Sequence, residues 1–251
     1  MKKLYGTPLW AGLVMAFVIG CAPNNPATSA TGTNGTSSST TTTGGGAVES
    51  VPPDLKHDGF AYNGFDRTAP LTYLFALMEG DKPEEGKQTS ELKSVEKGQA
   101  NYSVKRTGSL MAIGDEELAV RPDGVYLVST SLGSPQSPVL LMPAVLKPGT
   151  VWDYDYELNT TTPSKTGGSK MHFKGKARVE KEEKIKVAAG EFDTLMVSET
   201  AQMDNAGAKG TVSSKSWYAK GIGVVRMKME VKDSKGAIVT RTIELSDTGG
   251  K

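Results

Sequence analysis

The sequence predicts an all-β fold: a strongly bent antiparallel sheet, either an open half-barrel or a sandwich, following a disordered tether. Three observations predict it. Turn signals rich in Gly, Pro, Asn and Asp recur at short intervals between residues 81 and 236. The runs between them are rich in Val, Tyr, Thr, Trp and Met, and many alternate with polar residues. No strand–helix alternation points to a parallel sheet.

The chain opens MKKLYGTPLWAGLVMAFVIGC. Lys2 and Lys3 form a positive n-region, and residues 9–20 are uncharged and largely apolar, the size of a secretory signal and short of the roughly 20 residues of a membrane span. The segment ends Val18-Ile19-Gly20-Cys21, which resembles the lipobox of bacterial lipoproteins. The resemblance implies a diacylglycerol on the Cys21 thiol, cleavage after Gly20, and acylation of the new amine. Two or three acyl chains, at about 0.8 kcal/mol per buried CH₂, hold a protein stably where one is marginal. An uncleaved signal anchor is the competing reading, weakened by Pro8 and the glycines. Ala22, not Asp, follows the cysteine, which in Gram-negative lipoproteins implies the outer membrane.

Residues 22–46 contain only Ala, Pro, Asn, Thr, Ser and Gly. Such a segment buries too little apolar surface to offset its ordering entropy, so residues 21–50 read as a lipidated cysteine and a disordered spacer. Residues 51–251 then form a single β domain. Lys2, Lys3 and Glu49 are the only charged residues before it, so the domain keeps 27 basic and 27 acidic side chains of the chain's 29 and 28. This balance argues against a nucleic-acid partner. With no cysteine after Cys21, disulfides and cysteine-rich metal centres are excluded from the domain.

Within the domain, Leu71 to Met78, Asn101 to Arg106, Leu110 to Ile113 and Val125 to Thr130 read as strands. Pro83 to Lys97 is the best helical candidate, but Gly86 and the missing apolar stripe make it a polar loop. The clearest pair is Val151 to Leu158 with Met171 to Glu180. Trp152, Tyr154, Tyr156 and Leu158 share one face, and Asp153, Asp155 and Glu157 the other. Placing Leu158 opposite Met171 sets Asp155 beside Lys174, Asp153 beside Lys176, Tyr154 over Gly175 and Tyr156 against Phe173. This register satisfies both faces; a slip of two residues stays open, whereas a slip of one does not. Lys184 to Val187 and Phe192 to Glu199 flank an Ala-Ala-Gly-Glu turn, and Val212 to Tyr218, Val224 to Val231 and Ile238 to Leu245 close a meander.

Three segments together, Leu146 to Tyr156, Ile185 to Thr194 and Trp217 to Val225, resemble a broad group of poorly characterised bacterial secreted proteins and lipoproteins. Their shared order is PGTxWxY, VxAGxFxT, WYAKGxGxV. The resemblance covers roughly 100 of the 251 residues. Those proteins are similar in turn to lipoprotein-carrier folds with an open half-barrel. The resemblance implies a fold and no catalytic residue.

Sites of chemistry are few. Asp153, Asp155 and Glu157 could hold a metal, yet the cations expected opposite them favour a solvated charge ladder. His57 with Asp54 and Asp58 lies in a polar stretch near the tether, and His172 beside Glu157 reads as a strand pair. Ser213, Ser214 and Ser216 lack a nucleophile-elbow context, and Gly221-Ile-Gly223 lacks the Lys of a phosphate loop. Trp152, Tyr154, Tyr156, Phe173 and Trp217 could form an apolar ligand face, with plain core packing as the competing reading. The expected protein is therefore a non-enzymatic, lipid-anchored envelope component without a cofactor. It would bind a lipid on its concave face or, alternatively, dock a partner protein; an envelope hydrolase is the least favoured class.

Overall fold

The computed structural model describes residues 50–160, 170–205 and 207–250. The signal segment, Cys21 and the tether lie outside the described residues. The described strands are β1 (Leu71–Ala76), β2 (Glu84–Glu96), β3 (Gln99–Gly108), β4 (Glu116–Arg121), β5 (Gly124–Thr130), β6 (Gly133–Pro135) and β7 (Val139–Pro143). They continue as β8 (Val151–Thr160), β9 (Lys170–Val187), β10 (Gly190–Asn205), β11 (Ala208–Ala219), β12 (Gly223–Asp233) and β13 (Ile238–Asp247). A short helix, α1 (Asp58–Tyr62), precedes them.

All ladders are antiparallel, as the short turns dictate. Twelve of the described strands close into a barrel in the order β4-β3-β2-β1-β13-β12-β11-β10-β9-β8-β6-β5, with β5 returning to β4. β7 adds to β5 beside this ring. The open half-barrel or sandwich expected from sequence is thus corrected to a closed barrel. Closure depends on β6, only three residues long, which pairs Gly133, Ser134 and Pro135 with Thr160, Asn159 and Leu158 and meets β5 at Thr130 alone. Gly133 makes that approach possible: a Cβ there would stand 1.9 Å from the Asn159 carbonyl oxygen. A Gly-Ser-Pro triplet reads as a turn by composition, which is why the seam was not anticipated.

The β8–β9 register is the expected one at every position, from Leu158 opposite Met171 to Asp153 opposite Lys176. The closing meander is also as expected. Four further elements differ. Pro83 to Lys97 is neither helix nor loop but contains the 13-residue strand β2. Its inward residues are Gly86, Gln88, Ser90 and Leu92, too polar to register as an apolar stripe, and the ladders with β1 and β3 hold it extended. Leu110 to Ile113 is no strand: Ser109–Ala112 is a 3-10 turn that tucks Leu110 and Ile113 into the barrel. Strands β4 and β7 also went unanticipated.

Residues 51–66 stopper one end of the barrel. Leu55, Phe60 and Phe65 are buried, and Phe65 stacks on Tyr102 of β3 at 4.3 Å between ring centroids. The stopper is stitched to the end turns by Asp58 N–H donating to the Ala144 carbonyl (3.0 Å) and Gly221 N–H to the Ala61 carbonyl (2.8 Å). Gly64, at φ 69°, lies so close to the β11–β12 turn that a Cβ would stand 2.3 Å from the Ile222 carbonyl oxygen.

Candidate functional site

The residues singled out by sequence divide between the two faces of the barrel wall. On the outside, the acids of β8 and cations of β9 form the expected ladder: Lys174 Nζ lies 2.8 Å from Asp155 and Lys176 Nζ 3.6 Å from Asp153. Lys170 pairs with Glu157 at 3.0 Å, and His172 Nε2 sits 2.6 Å from Asp155 rather than on Glu157. Hydrogen bonds from Lys174 and His172 hold the Asp155 carboxyl below its usual range. These groups are solvated, and exposed pairs of this kind contribute little.

His57 caps α1. Its Nδ1 accepts from the Phe60 N–H (3.2 Å), and Nε2 donates to the Arg121 carbonyl (2.8 Å), so both ring nitrogens are engaged. Asp58 accepts from the Leu146 N–H. Among the described residues no three His, Cys, Asp or Glu side chains converge as a metal site. Ser213 faces outward, whereas Ser214 and Ser216 are buried.

Trp152, Tyr154, Tyr156 and Phe173 do come together inside the barrel, with Tyr156 stacked on Phe173 at 5.2 Å. Trp217 does not join them. Trp217 continues the outward phase of Ser213 and Lys215 on β11 and lies half-buried on the outside, its Nε1 donating to Glu183 Oε1 at 2.8 Å; the irregularity beside it leaves Val225 of β12 as the extra residue. That bond, with Lys181, holds the Glu183 carboxyl below its usual range.

The barrel interior contains what sequence reading missed. Four charged residues occupy inward positions among apolar neighbours. Arg106 continues Tyr102 and Val104; Glu116 precedes Leu118 and Val120; Glu199 lies between Val197 and Ala201; Arg241 precedes Ile243 and Leu245. The available signal was this charged residue in the apolar phase of an otherwise alternating strand.

Glu199 is 7% exposed and accepts from the Tyr154 hydroxyl and from Ser214 Oγ (3.3 Å). The first bond spans two strands, because Tyr154 of β8 lies flat across Gly175 of β9 to reach β10. A Cβ on Gly175 would stand 2.3 Å from the tyrosine oxygen. Burial outweighs both bonds and pushes the Glu199 carboxyl up to about 7. Glu116 and Arg106 form a buried pair at 2.9 Å. Arg106 also donates to Gln88 Oε1 (3.0 Å) and the Gly114 carbonyl (2.6 Å). Burial raises Glu116 too, against the opposing effect of Arg106. Both carboxylates act electrostatically on Tyr156 and Tyr218, so the two halves belong to one polar interior.

Beside the Arg106–Glu116 pair is a cavity of about 90 Å³. Val104, Leu118, Met142, Met227 and Ile243 supply apolar walls, and Asn63 and Phe65 of the stopper close one side. An acyl chain does not fit. A 150 Å³ apolar cavity admits the six carbons of benzene, about 25 Å³ per atom, so a 16-carbon chain needs roughly 400 Å³.

Residues 142–243 match the DUF3108-like family. This range contains Tyr154, Gly175, Glu199 and Ser214, and excludes β1 to β6 and the stopper. Two solved structures share the fold. A candidate lipoprotein of Parabacteroides distasonis ATCC 8503 aligns with a TM-score of 0.52 at 14% identity, over 74% of this chain and 97% of that one. A candidate exported protein of Bacteroides fragilis NCTC 9343, described as having a YmcC-like fold, aligns with a TM-score of 0.50 at 11% identity, over 72% and 95%. Among curated proteins, none matches the chain.

Proposed function

With the DUF3108-like match of residues 142–243 as premise, we propose that this chain is a lipid-anchored component of the bacterial cell envelope that acts without catalysis. Its barrel is a rigid module that presents its outer surface to a partner protein. The observation that carries the reading is a closed barrel whose interior is occupied by its own side chains, entered by a stopper that continues from the tether. Carrier function needs an apolar cavity of several hundred Å³, in the usual range of ligand pockets; the cavity among the core side chains is about 90 Å³, and the hollows of about 520–560 Å³ elsewhere on the described residues are each lined in part by charged side chains. The lipobox Val18-Ile19-Gly20-Cys21 supports anchoring, and the likeness to a candidate lipoprotein and a candidate exported protein supports the envelope location. Ala22 supports the outer membrane if the source is Gram-negative.

Two measurements test this. Cys21→Ser should abolish incorporation of radiolabelled palmitate and move the protein from the membrane to the soluble fraction; full membrane retention would overturn the anchor. Native mass spectrometry of the domain without Cys21 should show the bare polypeptide mass. A co-purifying acyl lipid would restore the carrier reading.

A further inference from the structure

We propose that the cavity beneath the N-terminal stopper is a binding site for a small neutral molecule with a hydroxyl or amide group on a short hydrocarbon body. Glu116 carries the argument. Its residue is 4% exposed, and while Oε2 receives Arg106, Oε1 is buried with no hydrogen-bond partner among the described residues. A buried carboxylate oxygen left in that state has lost its hydration without replacement, so a site that supplies its partner is favoured. Glu116 lines the cavity, and so do Ser90, Asn63 and Tyr218.

The surroundings select the ligand's chemistry. An anion is unsuited, because Arg106 already serves Gln88, Gly114 and Glu116. A cation is also unsuited, since Arg106 already balances Glu116 and a second buried positive charge would stand uncompensated. A neutral hydroxyl or amide satisfies Oε1 in either protonation state: it donates to the carboxylate, and its oxygen accepts from the acid. The remaining walls, Val104, Leu118, Met142, Met227 and Ile243, are apolar and suit a hydrocarbon tail. At about 25 Å³ per non-hydrogen atom, a cavity of about 90 Å³ takes roughly four such atoms. Because Asn63 and Phe65 form part of the wall, occupancy and seating of the stopper stabilise each other by linkage.

Propan-1-ol is the probe, with the methyl resonances of Met142 and Met227 as the readout. Titration should shift both methyls saturably, with a dissociation constant on the order of millimolar, the range open to so small a ligand. Amide exchange in residues 58–66 should slow at the same time. Propionate and propylammonium at equal concentration should leave both methyls in place. Ser90→Leu fills the cavity with hydrocarbon and should abolish the shifts while the circular dichroism spectrum of the folded barrel is retained. Glu116→Gln, if it folds, should weaken the probe at least fivefold. The proposal fails if the methyl shifts do not saturate, persist in Ser90→Leu, or are matched by either ion. It also fails if a crystal soaked in propan-1-ol shows only ordered water on Glu116 Oε1. None of these results bears on membrane anchoring, which Cys21→Ser tests separately.

Discussion

Glu199 shows how one side chain can make the barrel sensitive to pH. Its pKa, raised from 4.5 to about 7, means that the folded protein holds this proton more tightly than the unfolded chain does. The corresponding stability is therefore present below about pH 4.5 and is lost as the pH rises through 7. A difference of about 2.5 units corresponds to roughly 3 kcal/mol. Wild-type protein should lose stability between pH 4.5 and 7.5 by up to about that amount relative to Glu199→Gln, measured by urea unfolding at each pH. Parallel pH profiles for the two proteins would remove Glu199 from this role. Asp155 is shifted in the opposite direction by its exposed neighbours, which is why the comparison uses the variant and not the wild-type profile alone. Glu199, Arg106, Glu116 and Arg241 went unread, although each stands as a charged residue in the apolar phase of its strand. Their partners were not legible, because Tyr154 reaches Glu199 across an intervening strand, at no sequence spacing that a pairwise rule would flag.

Among the elements, the seam is the most vulnerable. β8 and β9 are joined by a ladder of nine paired positions, whereas β6 meets β8 at three and β5 at one. Gly133→Ala should push β6 off β8, since its Cβ would overlap the Asn159 carbonyl. The expected cost is about 1–3 kcal/mol, the usual range for overpacking, with faster amide exchange confined first to residues 133–135 and 157–160. Uniform exchange across the barrel would argue that β6 is not the closing element. The contrast in legibility has the same origin. In β8 and β9 two alternating faces must be satisfied together, so a one-residue slip would bury charges, and the phase could be read directly. β6 has no alternation to read, and in β2 the inward Gln88 and Ser90 hide the period that its ladders impose.

For the molecule as a whole, the stopper of residues 51–66 is the N-terminal part of the described barrel and holds one end of it. Leu55, Phe60 and Phe65 each bury a large side chain, and each such burial contributes roughly 1.5–3 kcal/mol. A chain starting at Arg67 should therefore be less stable by on the order of 5 kcal/mol in denaturant unfolding; an unchanged midpoint would show that the barrel closes without its stopper. The sequence by itself determined the strand periodicity, the phase of β8 against β9 and the outer charge ladder. These are local properties, set by period-two alternation, turn residues and composition. Only the tertiary structure decided that the sheet closes and that Glu116 and Arg106 share a cavity with Asn63. Closure rests on the three positions at which β6 meets β8 and on β1 finding β13 from the far end of the domain. Alternation shows which side chains share a face, but it does not show which distant strand that face will meet.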